Sequence, residues 1–186
     1  MGIEYNLFIY SIVTLYGCNL KIPICSFDAK TGILCPKCEM KLKGGQITLT
    51  DVEVSIKLTK LAEKTPELNK ISLIKAMDIS GNYVIILKAG DLMILRNDDL
   101  MMQVEGFLGK KTMFLEGDVS DRRMLEDLFY PIRILTVNVV WLPDGSKLSK
   151  VIIPGRKTER FPIDIELVKK VAKAVRSIDL LVEFER

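Results

Sequence analysis

Histidine is missing from the 186-residue chain. That absence excludes Ser-His-Asp and Cys-His hydrolases, His-ligated metal centres and imidazole proton shuttles, because each needs a ring nitrogen that titrates near neutrality. There is no phosphate-cradling glycine loop, no carboxylate pair with metal spacing beyond Asp98 and Asp99, and no nucleophile beside a base, so the expectation is a protein that is not an enzyme. Bilayer-length apolar runs are lacking as well. The oily run from Tyr5 to Tyr16 contains Asn6, Ser11 and Thr14 and is shorter than the roughly 20 residues a membrane helix needs. Glu4 stands where a secretory signal carries Lys or Arg, and no small-residue cleavage site follows the run. The expected location is the cytoplasm with no membrane partner, and residues 1–22 are expected to be an extension forming an extra strand or a tail.

What is present suits an ordinary globular chain. Apolar residues make up 48% and charged residues 27%, enough to fill a core and keep it soluble. The 27 basic and 24 acidic residues leave a net charge of only +3, but it is unevenly spread. Residues 1–50 carry +2, residues 51–120 carry −2 and residues 121–186 carry +3, so a polyanion would meet the two ends.

All four cysteines fall early, at Cys18, Cys25, Cys35 and Cys38, and the last two form C-P-K-C. Two thiolates separated by two residues can face one Zn²⁺ while the amides of the turn donate to the sulfurs. The opposite arm reads C-S-F-D, with Asp28 where a second thiolate would stand. Zinc accepts a carboxylate oxygen, so Cys25, Asp28, Cys35 and Cys38 can close a tetrahedron, with Cys18 as a substitute ligand. A loop of reduced, packed thiols is the plainer alternative. A redox pair would sit between an apolar strand and a helix, which the flanks I-L and E-M-K-L-K-G-G do not match.

Gly44 and Gly45 end this module, placed at 23–50, and an α+β pattern follows. Thr50 is expected to cap a helix with Glu53 three residues on; Pro66 stops it. The β-prone runs Ile71–Ile79 and Tyr83–Lys88, joined by S-G-N, read as a hairpin. Helical spacing over Asp91–Leu108 and a strand at Lys111–Glu116 complete an αββαβ unit at 51–117. The order repeats at 118–186. A helix at Asp121–Tyr130 is stopped by Pro131, strand Arg133–Leu142 turns at P-D-G-S into Leu148–Ile153, and helix Asp164–Arg176 leads to strand Asp179–Phe184. Trp141, Met101, Met102 and Met113 are expected in the core, and Lys169, Lys170, Lys173 and Arg176 on a solvated helix face.

The stretch I-L-R-N-D-D-L-M-M-Q-V-E-G-F-L-G-K-K, with Ile94, Met101, Val104 and Leu108 as its apolar positions, resembles the K-homology pattern I-G-x-x-G-x-x-I-x-x-I. Preceded by αββ it resembles the type II arrangement. Together with C-P-K-C, A-K-T-G-I-L-C, G-D-L and W-L-P-D-G-S it is similar to small archaeal NusA-like proteins, in which a cysteine knuckle precedes tandem K-homology units. The likeness covers Ile24 to the C-terminus. It implies a non-catalytic RNA-binding accessory factor in transcription elongation or termination, gripping unpaired nucleotides between two helices. Its glycine motif is degenerate in both units: Leu95 and Asp98 fill the two positions in the first, leaving Arg96 for a phosphate, and the second keeps one glycine in P-G-R-K-T-E-R-F-P. In that second unit Arg156, Lys157 and Arg160, with Lys147 and Lys150 from the hairpin, are the expected RNA surface beside Phe161, against the alternative of a solvated loop. Lost clamps also fit a different role, an adaptor docking on RNA polymerase or a ribosomal subunit.

Overall fold

The computed structural model describes residues 20–143, 145, 147–156 and 160–185. Cys18, Lys157 and the oily run 5–16 lie outside the described residues. Among the described residues two short helices come first, α1 at Ser26–Thr31 and α2 at Pro36–Lys43, followed by α3 at Leu49–Ala62 and a 3₁₀ turn at Pro66–Lys70. Then come β1 (Leu73–Ile79), β2 (Asn82–Leu87), α4 (Leu92–Leu95), α5 (Asp98–Leu108) and β3 (Thr112–Glu116). The second half has α6 (Asp121–Phe129), β4 (Thr136–Trp141), β5 (Lys147–Pro154), α7 (Ile165–Arg176) and β6 (Asp179–Glu185).

Local chemistry explains most of these boundaries. The cap of α3 is Thr48 rather than Thr50: its hydroxyl accepts from the Asp51 amide at 3.2 Å, and Asp51 accepts in return from the Thr48 amide at 2.7 Å. Asp51 also accepts from the Ala76 amide at 2.6 Å, tying the helix start to the irregularity in β1 between Leu73 and Lys75. Glu53 is thereby free to accept from the Tyr83 hydroxyl at 2.7 Å. The β1–β2 turn holds Ser80 at φ 54° and Gly81 at φ 80°, the left-handed pair a tight hairpin requires.

The two halves share one sheet plan. In each, the first two strands pair antiparallel and the third runs parallel to the second, giving orders β1-β2-β3 and β4-β5-β6. Alternation along β2 explains how they join. Tyr83, Ile85 and Leu87 face α3, α4 and α5, whereas Val84 faces the other way, and all four are fully buried. On that second face Met77, Val84, Met113 and Leu115 pack with Leu125, Phe129, Val168 and Val171 of α6 and α7, which in turn cover Val151 and Ile153 of β5. Helices α6 and α7 are therefore sandwiched between the two sheets, and one core serves both halves.

Gly117 follows β3 at a tight point: a Cβ there would lie 2.8 Å from Cδ1 of the exposed Ile74 side chain, and 3.3 Å from Ile86 Cγ2 and from the Leu87 carbonyl oxygen. Gly117→Ala should cost about 1–3 kcal/mol, read as a lower denaturation midpoint with unchanged denaturant slope; an unaltered midpoint would contradict the packing.

Two core assignments fail. Trp141 is 71% exposed and Met102 is 70% exposed. Trp141 pairs with Lys147 at the end of edge strand β4, away from the β4 position that contributes to the core, Val137. Met102 lies on the outer side of α5, whereas Leu100, Val104 and Leu108 form its buried side; Met101 and Met113 pack against the core as expected.

Candidate functional site

The cysteine module gathers its donors by converging two helix starts. Cys25 precedes α1 and Cys35 precedes α2, each with extended backbone, so both sulfurs lie at the electropositive ends of helices. Pro36 suits the first helical position, where no amide is needed. Gly32 ends α1 at φ 77°, in the left-handed region, and lets the chain turn back. The ligand atoms of Cys25, Asp28, Cys35 and Cys38 all lie within 4.8 Å of one another. Asp28 is fully buried; its Oδ2 accepts from the Cys35 amide at 3.1 Å, and its Oδ1 is buried without a partner.

That donor set fits a metal ion. Three sulfurs and one oxygen match the ligands zinc takes, and sulfurs about 2.3 Å from a tetrahedral centre stand roughly 3.8 Å apart, so closing the cluster takes only small side-chain rotations. The orphaned Asp28 oxygen is the sign of a missing positive partner, because a buried carboxylate oxygen without one is costly. The neighbouring Cys38 thiol is the main influence holding the Asp28 carboxyl down at about 2, against its burial. Burial, then the carboxylate itself, pushes the Cys38 thiol up to about 12. A metal held by these residues would take the place of the thiol proton, and its affinity would fall as pH falls. Around the cluster Ile24, Ala29, Ile47 and Val52 make a small core of their own, with Leu34, Leu42 and Ile56 packed against it.

The basic residues are arranged differently from the sequence expectation. Lys147 lies 3.8 Å from Asp121, Lys150 pairs with Glu183 at 2.8 Å, and Arg96 pairs with Asp127 at 2.8 Å. Arg156 and Arg160 are exposed, and Phe161 packs on Phe184 with ring centroids 5.2 Å apart. A break at Arg96 and Asn97 divides α4 from α5. Leu95 is fully buried in the first core, Asn97 and Asp98 are exposed at the start of α5, and Arg96 reaches from the turn to Asp127 of the second half. Its guanidinium lies 5.4 Å from the Tyr130 ring centroid.

The sequence reading missed a concentration of arginine beside this contact. Arg122 and Arg123 of α6, Arg133 ahead of β4, and Arg96 line one concavity of about 510 Å³ with Tyr130 and Glu126. The available signal was R-R followed ten residues later by Arg133, across a proline that turns the chain back on itself. Among the described residues no helix is long and apolar enough to cross a membrane. No protein-family model matches the chain, and no curated protein matches it. A solved structure titled "Crystal structure of APE1850" aligns over 69% of this chain and 95% of its own length, at 14% identity and a TM-score of 0.45, a likeness too loose to carry an argument.

Proposed function

We propose that the chain is a non-catalytic RNA-binding accessory protein of the archaeal NusA-like kind, a zinc-held knuckle followed by two K-homology-like units, acting on single-stranded transcript RNA through its basic C-terminal loop. The observation that carries the reading is the duplicated plan: both halves run helix, antiparallel hairpin, helical segment and parallel third strand in the same sheet order. The two-helix turn at Arg96 and Asn97 falls where the resemblance puts the nucleotide grip. Zinc is the proposed ion because a closed set of three thiolates and a carboxylate suits a structural zinc. Arg156 and Arg160 of the loop are exposed.

The test is retention of labelled single-stranded RNA on a filter at low salt, repeated as salt rises. Binding should be measurable and should weaken steadily, because each phosphate contact releases counterions. No retention even at low salt overturns the reading.

A second reading has its own observation. Leu135, Val139, Val140, Trp141 and Leu142 are exposed along and beside an uncharged edge strand. Such an edge suits strand pairing with another protein. If Trp141→Lys abolishes co-purification of a protein and leaves RNA retention intact, the adaptor role is favoured.

A further inference from the structure

The concavity at the junction of the halves is open, lined by arginines and joined to an apolar recess. Four guanidinium groups line it, with Glu126 as the one carboxylate among its lining residues. That carboxylate is shared: Arg122 lies 3.2 Å from it and Arg123 3.9 Å. The ion pairs of Arg123 are all between 3.7 and 3.9 Å, too long to use its N–H donors fully. Arg133 is exposed and makes no ion pair with a described residue. The Arg122–Glu126 pair is exposed and contributes little, so a phosphate that accepts two parallel N–H bonds from the Arg122 guanidinium displaces it, while Arg123 keeps its buried partners Glu116 and Asp127.

Beside it, sharing Arg96, Tyr130 and Pro131, lies a recess of about 240 Å³ lined mainly by apolar side chains, among them Leu92, Met101, Phe114, Leu128 and Leu167. Asp127 borders this recess. Its Oδ1 is held by Arg96 and its Oδ2 is buried without a hydrogen-bond partner. The half-exposed Tyr130 ring stands where the two spaces meet.

We infer that this junction is a nucleotide subsite, with the phosphate of a single strand held by Arg122, Arg123 and Arg133 and the base seated at Tyr130 and in the adjoining recess. The inference rests on the RNA-binding reading and moves its strongest contact from the C-terminal loop to the seam between the halves. The guanidinium groups select an oxyanion and the recess selects a flat, largely apolar group attached to it.

The experiment is an anisotropy titration of a short fluorescent single-stranded RNA against the metal-loaded full chain, at several salt concentrations. The double variant Arg122→Ala/Arg133→Ala changes exposed groups only and should bind about tenfold or more weakly, with the slope of log affinity against log salt reduced by about 1.4, since each lost contact to a single strand removes about 0.7. Tyr130→Leu should weaken binding about tenfold with the slope unchanged, because stacking releases no counterions. Arg156→Ala/Arg160→Ala serves as the comparison. If the loop pair abolishes binding while the Arg122/Arg133 variant keeps wild-type affinity and slope, the junction is not a subsite and the RNA-binding reading stands. If the wild-type chain does not bind at low salt, both fall.

Discussion

Stripping the metal, or replacing Cys38 by Ser, is expected to unfold residues 23–50 and to lower the melting temperature of the whole chain. Cys38 carries the buried sulfur of the set, and the small core around it contains few fully covered apolar side chains. A module of this size cannot offset its backbone ordering by burial alone. A structural zinc held there would contribute on the order of 10 kcal/mol of apparent binding energy at neutral pH, which would make the ion the main stabilising element of the module. The damage should spread, because α1 packs on α3 and Val52 of α3 belongs to the module's core. Hydrogen exchange with and without chelator measures this directly: amides such as Gly32 to the Asp28 carbonyl and Glu39 to the Cys35 carbonyl should lose protection while those of β5 keep it. Unchanged exchange and unchanged melting on chelation would show that the thiols are held by packing alone.

The second large effect concerns the seam. Arg96→Ala removes the 2.8 Å partner of Asp127, whose side chain is fully buried while that of Arg96 is 27% exposed. Only Arg123, at 3.8 Å, would then face the carboxylate. Leaving a buried charge short of its partner costs about 3 kcal/mol. The loss should depend on pH with a definite sign. Burial already raises the Asp127 pKa above the ordinary carboxylate value, against the pull of Arg123 and Arg96. Without Arg96 it rises further, so the folded state holds its proton to higher pH than the unfolded chain does. The deficit of the variant is therefore smallest under acidic conditions and grows as pH rises through the folded-state pKa. Denaturant midpoints of wild type and Arg96→Ala at about pH 4 and about pH 7 measure it, and Asp127→Asn in the Arg96→Ala background should recover most of the loss at neutral pH. An equal deficit at both pH values would mean that Arg96 acts by packing on Tyr130 and not by its charge.

How far the chain could be read from its residues depended on whether the decisive contacts were local. The metal donors were legible because C-x-x-D and C-x-x-C each place two ligands on one helix turn, and local capping brings the turns together. The hairpins were legible from alternation and from S-G-N. The cap of α3 was misplaced by two residues because two threonines precede an acidic residue there, and only the contact from Asp51 to Ala76 decides between them. Trp141 was misread because alternation along V-N-V-V-W assigns faces but says nothing of whether a helix reaches that far along the strand. The shared core was half visible: the unbroken run Y-V-I-I-L has no polar alternation, as a strand buried on both faces requires. The arginine concavity depends on how α6 and the entry to β4 meet across Tyr130 and Pro131, a tertiary fact with no fixed spacing in the sequence.

The central claim is that this duplicated fold contacts single-stranded RNA. Ultraviolet crosslinking of the metal-loaded chain to single-stranded RNA, followed by identification of the attached peptides, tests it most directly. The account predicts salt-sensitive crosslinks on the peptides around Tyr130 and Arg133 and on the loop that carries Arg156 and Arg160. Absence of any crosslinked peptide at low salt would contradict it.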